Sequence, residues 1–397
     1  MQNLSSRISQ IKPSLTLAID AKAKEMIKKG EKVIPFAAGE TDFDTPDFIK
    51  NEAISALQKG FTRYTPVSGI PELKEAIRDK FKKDNNLDYP LNQIIVSNGA
   101  KHTLYNIIQV LCEKGDEVII PAPYWLSYPA MVLTAGATPV YLETADTGFK
   151  VDPKRLAAAI TPRTKLFIFN NPSNPTGACS SRKEIEAVAS VLADKNLWII
   201  SDEIYETLVY GDEPFFSIAN VSPGLMKKTI VVNGLSKSSA MTGWRIGYAA
   251  GDPSVISAMD TLQSHSTSNP VSFAQKGAVV ALRQGAEFSA KLRTVFRERR
   301  DLMFDRLSRI PGLETARPEG AFYAFPGISG LIGKSFKGRT IDGSLAFCEC
   351  LLDDYKVAAV PGSVFGADKF FRISYATSVE NINEGLDRLA RFVKDLA

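Results

Sequence analysis

The chain has 397 residues, 44% hydrophobic and 23% charged, with a formal net charge of +4. This length exceeds the range in which one core keeps growing, so two domains are expected. The small charge, with no Lys/Arg block or acidic tail, argues against nucleic acid or a membrane surface and for a small-molecule ligand. Only two histidines occur, so multi-histidine metal motifs are excluded and no metal site is expected.

The N-terminus, MQNLSSRISQIKPSLTLAI, lacks the apolar centre of a secretory signal, and no run of 18 apolar residues occurs anywhere. A cytoplasmic protein is expected. Four cysteines, at 112, 179, 348 and 350, form no CxxC pair and read as buried free thiols. The motifs GxG, GxxxxGK[ST] and GxSxG are all missing, which removes the dinucleotide, P-loop and serine-hydrolase fingerprints.

The apolar runs QIIVS, DEVIIP, TPVYLE, KLFIFN, LWIISD, TIVVN and IGYAAG read as strands separated by helix-length segments. That alternation predicts an α/β fold: a large domain with a mostly parallel sheet covered by helices. From about Glu287 a charged helical pattern leads to short strand candidates (AFYAFP, VAAVPG, FFRISYA) and a last helix, ENINEGLDRLARFVKDL. The expected division is an N-terminal segment, 1–45, packing with a smaller α+β domain at 287–397, and a large domain at 46–286.

In such a sheet ligands gather at the carboxyl ends of the strands, and the polar motifs fall there. After QIIVS, Gly99 and Ala100 open a helix whose free N–H groups suit a phosphate, although Gly also serves turn geometry. After DEVIIP, Trp125 either plugs the core or offers a face for an aromatic ligand. NPSNPTG after KLFIFN forces a rigid loop that could hold the Asn174 amide against a ligand oxygen. After LWIIS, Asp202 either caps a helix or faces a cationic nitrogen, and Tyr205 could reach the same ligand. Lys237 and Arg245 follow TIVVN in a stretch of small and hydroxyl residues. Phosphate-ready helix, indole, amide, carboxylate, tyrosine and lysine together match pyridoxal 5'-phosphate group by group.

The order GAK, PYW, NPSNPTG, SDEIYE, SKSSAMTGWRIGY and FRISYA resembles the fold-type-I aminotransferases over essentially the whole chain. It is most similar to the class Ib aspartate aminotransferases, whose relatives include prephenate aminotransferases. The resemblance implies that Lys237 is the Schiff-base lysine. Arg245, with the backbone of Gly99, Ala100 and Lys101, would bind the phosphate; Ser236 is a further candidate. Trp125 would stack on the ring, Asp202 would pair with the ring nitrogen, and Tyr205 and Asn174 would contact the 3'-oxygen. Tyr64, in GFTRYTPVSGIPEL, would reach the phosphate of a neighbouring subunit, which implies a homodimer with shared sites. Arg372 would clamp the substrate's α-carboxylate, with the backbone of Gly39 close by and Trp125 and Asn174 beside it. Lys101, Lys12, Ser14 and Thr16 are the candidates for a second carboxylate.

Two positions depart from that pattern: Thr41 where relatives usually carry Pro, and Gly234 where some branches place a phosphate-binding Ser. Transamination between aspartate or glutamate and a 2-oxo acid, with prephenate a further candidate, is the expected activity. A β-eliminating C–S lyase, an aminocyclopropane carboxylate synthase-like enzyme and a ligand sensor built on the same domain are the alternatives.

Overall fold

Seven strands form the main sheet of the protein, seen in a computed structural model that describes residues 5–11 and 15–397. They are β1 (Ile94–Ser97), β2 (Glu117–Ala122), β3 (Thr138–Glu143), β4 (Thr164–Asn170), β5 (Trp198–Asp202), β6 (Thr229–Gly234) and β7 (Gly247–Ala250). Their order is β1-β7-β6-β5-β4-β2-β3, and neighbours from β3 to β6 are parallel. β7 pairs antiparallel with both β6 and β1. The β6–β7 connection holds only the short helices Leu235–Ser238 and Thr242–Trp244, so the chain comes straight back instead of crossing over. β1 and β6 are buried at every position, as strands covered on both faces must be.

The covering helices follow from apolar spacing. In Arg182–Leu192 the buried residues Ile185, Val188, Ala189 and Leu192 form one stripe, and Ser181 with Glu184 makes a capping box at its start. Leu104, Ile107 and Ile108 of the helix Ala100–Leu111 pack on one face of the sheet with Ile95, Val118 and Val232. Leu73, Ile77 and Phe81 of the helix Pro71–Asn85 pack with Val96 and Tyr248 on the other.

A second core lies around the long helix Ala286–Leu307, whose buried face is Leu292, Phe296, Arg300, Met303 and Leu307. β8 (Tyr323–Ala324), Phe336 of β9 (Ser335–Phe336), and Phe371 and Ile373 of β12 (Phe371–Ser374) belong to it; the exposed β10 (Arg339–Thr340) pairs with β9, and β11 (Val360–Pro361) with β12. β11, β12 and β8 pair antiparallel in that order. Phe36 is fully buried in this core, and Ile34 bridges Val357, with the Ala358 N–H bonded to the Ile34 carbonyl at 3.0 Å. Ile204, Tyr205 and Leu208, from the turn after β5, also belong to it, so the two cores meet at the carboxyl end of the main sheet.

Cys112, Cys348 and Cys350 are buried free thiols. Cys179 departs from the expectation: it is only half-buried, because it follows the NPSNPTG loop at the rim. Among the described residues no helix is long and apolar enough to cross a membrane.

Candidate active site

Asp202 closes β5 and is 4% exposed. Its carboxylate accepts from the Tyr128 hydroxyl at 2.6 Å and from the Ile204 N–H at 3.3 Å. Burial pushes the acid up to about 6, while those donors and the charge of Lys237 pull it back. Its carbonyl holds the neighbouring loop by accepting from Asn170 Nδ2 and the Asn171 N–H. The result is a fixed, ionisable carboxylate with no cation in contact among the described residues.

Lys237 lies on the short helix Leu235–Ser238 that follows β6. Its ammonium donates to the Gly39 carbonyl and stands 5.5 Å from the Phe322 ring centre and 5.9 Å from that of Tyr205. Burial pulls the ammonium down to about 8; Glu40 opposes this, and Arg372, Arg245 and Lys101 reinforce it. Gly234 has a packing reason: a Cβ there would stand 3.0 Å from the Ile246 carbonyl and 3.2 Å from Ile204 Cδ1. Ser236 is buried on the same short helix.

Gly99 takes a left-handed φ of 86° just before the helix Ala100–Leu111. A Cβ at Gly99 would come 2.4 Å from Arg245 Nη2, so the guanidinium rests directly on the bare backbone. Arg245 donates to the carbonyls of Thr242 at 2.8 Å and Asn98 at 3.3 Å. The Lys101 ammonium lies 5.1 Å from the centre of the Trp125 ring. A helix start and two cations therefore stand at the carboxyl end of β1. Trp125 is half-buried and meets Tyr128 edge-on, with ring centres 5.3 Å apart.

Arg372, on β12, is 5% exposed. It donates to the Asn174 side-chain carbonyl at 3.0 Å and to the Ala37 carbonyl at 3.1 Å, and packs 4.4 Å above the Tyr323 ring. Its Nε has no partner among the described residues. A buried guanidinium whose two bonds among the described residues go to neutral oxygens, with three of its five N–H groups left over, is prepared for an anion. The Asn174 amide oxygen is thus engaged by Arg372, leaving its NH2 as the free donor group. The Tyr205 and Tyr323 hydroxyls share a hydrogen bond of 3.0 Å.

Lys237, Asp202, Tyr205, Asn174, Arg372 and Gly39 thus meet in one cleft, with Gly99, Ala100, Lys101, Trp125 and Arg245 along its wall. Tyr64 stands apart, 91% exposed on its loop. Lys12 and Ser14 lie outside the described residues, as does the side chain of Thr16. Sequence reasoning missed Tyr128 and Tyr323. Tyr128, three residues after Trp125 in PYWLSY, had a helical spacing that could have flagged it, whereas Tyr323 reaches the cleft only through the second core.

The model of the family described as aminotransferase class I and II matches residues 31–389. The aspartate/prephenate aminotransferase of Cereibacter sphaeroides is 50% identical over the full length of both chains. Among solved structures, the aspartate aminotransferase of Rhizobium meliloti superposes with a TM-score of 0.96 at 44% identity, covering all of both chains. That of Thermus thermophilus, with maleate, gives 0.92 at 42% identity, over 98% of this chain and 100% of the other.

Proposed function

The chain belongs to the class I and II aminotransferases, and from that premise we propose that it moves an amino group between aspartate or glutamate and a 2-oxo acid, with prephenate as a further substrate. The cofactor of the family is pyridoxal 5'-phosphate, and the residues present fit it. The bare Gly99 backbone lets the Arg245 guanidinium lie directly on the start of the helix Ala100–Leu111, where a phosphate would meet both, and Asp202 is a buried acid with no cation in contact among the described residues. When bound, the cofactor supplies an aldehyde that takes up the amino group and a ring that accepts electrons.

Gly99, Ala100, Lys101, Ser236 and Arg245 would hold the phosphate, Trp125 the ring face, Asp202 the ring nitrogen, and Tyr205 and Asn174 the 3'-oxygen. Asp202 remains ionised at neutral pH, and a cationic nitrogen beside it strengthens that state. Arg372 would receive the α-carboxylate on two of the N–H groups left free, within reach of the Lys237 charge. Lys237 Nζ then removes the Cα proton and later returns one, acting first as base and then as acid. An amine drawn down toward 8 suits both tasks near neutral pH. Lys101 at the Trp125 face, with Lys12, Ser14 and Thr16, would read the second carboxylate. An ammonium on a flexible stem tolerates carboxylates at different distances.

What supports this proposal is that Lys237, just after β6, Asp202, at the end of β5, and Arg372, on β12, come close enough for the Lys237 charge to interact with both of the others. Steady-state assays with aspartate, glutamate and prephenate, each with a complementary amino-group partner, test it. Ammonia and thiol released from a β-substituted substrate, without amine transfer, would favour a lyase instead. Lys101→Ala should lower kcat/KM for aspartate more than for phenylalanine, and equal losses would remove Lys101 from substrate recognition. We also propose a cytoplasmic homodimer, because the exposed Tyr64 fits a role in a neighbouring site. Mixing Lys237→Ala with Tyr64→Phe chains should then restore activity that neither has alone.

A further inference from the structure

Glu203 follows Asp202 directly, is wholly buried, and has no part in the chemistry above. Its Oε1 accepts from two hydroxyls: Ser201, two residues back on β5, at 2.7 Å, and Ser217, just before the turn Ile218–Asn220. Its Oε2 has no partner among the described residues. The Glu203 N–H is bonded to the Val232 carbonyl of β6 at 2.9 Å, and its carbonyl accepts from the Glu206 N–H at 2.9 Å. Strand end, neighbouring strand and the turn that carries Tyr205 are therefore tied together at this one residue.

The surroundings give the carboxyl no countercharge of its own. Lys80, the nearest cation, is paired with Glu206, and Asn85 bonds Glu206 at 2.7 Å. Glu206 adds repulsion, and the buried hydroxyl of Tyr89, also unpartnered, lies within reach of the Glu203 charge. Tyr248 completes the set of titratable groups that face it. An ionised carboxylate with one bare oxygen is costly in such a place, whereas a neutral acid accepting from two serines is not.

On the strength of the role given to Asp202 above, we infer that Glu203, uncharged, is a positioning residue that fixes the strand end and turn from which Asp202 and Tyr205 face the cofactor. Burial and Glu206 push the acid up to about 8, against the pull of the two serines and Lys80, which accords with an uncharged group at neutral pH. Asp202 is then the charged member of the Asp202–Glu203 pair, and the strand end that carries it is held by Ser201 and Ser217 through Glu203.

Glu203→Gln keeps an oxygen for both hydroxyls and stays neutral; Glu203→Ala removes the clamp. In the apoprotein near neutral pH, the infrared difference between wild type and Glu203→Gln should show the C=O stretch of a protonated carboxyl. In the holoenzyme, Glu203→Ala should lose roughly tenfold in kcat with KM for the amino acid within about twofold, because reaction geometry is sensitive to sub-ångström displacement. The pH titration of the cofactor's absorbance should shift in the same variant, and Glu203→Gln should restore both. If Glu203→Ala does not fold, Ser217→Ala carries the test, with a smaller fall in kcat at unchanged KM. A missing infrared band, native kcat and titration in the clamp variants, or failure of Glu203→Gln to rescue would each overturn the inference. Native kcat in Asp202→Asn would instead overturn the role of Asp202 itself, while loss there with unaffected clamp variants would remove Glu203 alone.

Discussion

Asp202 and Arg372 are almost equally buried, at 4% and 5% exposure, yet the molecule treats them differently. The Asp202 carboxylate takes one donor on each oxygen and stands at the end of a strand with paired neighbours on both sides. Arg372 stands on a three-stranded sheet of the second core, and its acceptors come from the loop after β4 and from the N-terminal segment. Three of its five N–H groups have no acceptor among the described residues. In the roles proposed above, both Asp202 oxygens on the cofactor side already have a protein donor, whereas the substrate side is left with an open valence. A buried ion pair between two protein groups would have closed that valence and left nothing for an anion to join.

The comparison breaks most severely at Lys237, the group that serves both sides. Lys237→Ala should lose roughly 10⁴-fold or more in turnover, since base and covalent anchor disappear together, while the protein still folds and holds the cofactor. Borohydride reduction and peptide mapping of the wild type should mark Lys237, and label on another lysine would remove it from the site. Next come the two buried charges, which should fail in different ways. Asp202→Asn should lose on the order of 10²-fold in kcat while KM for the amino acid stays near native, because an amide cannot keep a ring nitrogen protonated. Arg372→Lys should lose a similar or somewhat smaller factor, about 10- to 100-fold, mainly through KM, because an ammonium cannot make the bidentate contact. If both variants failed in kcat alone, the division into a cofactor side and a substrate side would be wrong.

The smallest effect is on stability against pH. The folded Glu203 acid is raised to about 8 from its ordinary 4.5, so the native state binds the extra proton between those values. Its contribution to stability is complete below about pH 4.5 and is lost as pH rises through 8. Relative to Glu203→Gln, the wild-type apoprotein should therefore lose about 1–3 °C of Tm between pH 5 and pH 8 and change little beyond. Asp202, raised to about 6, acts with the same sign over a lower and narrower window. A Tm difference independent of pH would show that Glu203 is ionised in the folded protein throughout.

Much of the cofactor side was legible in the sequence. Gly99, Trp125, Asn174, Asp202 and Lys237 each follow an apolar run, and a sheet of largely parallel strands brings the ends of such runs to one edge whatever the strand order. Short local signals were thus enough: apolar runs for the strands, a 3.6-residue stripe for the helices, a capping box for Arg182–Leu192. The tertiary structure decided what no local pattern encodes. It set the reversed direction of β7, the pairing of Tyr205 with Tyr323 across 118 residues, and the hold of Ala37 on Arg372 across 335. It also made Glu203 a buried clamp, a role that SDEIYE does not distinguish from a solvated helix start. The physical reason is the same in each case: periodicity reports which face of an element is buried, but the identity of the group it is buried against is settled only when distant segments pack.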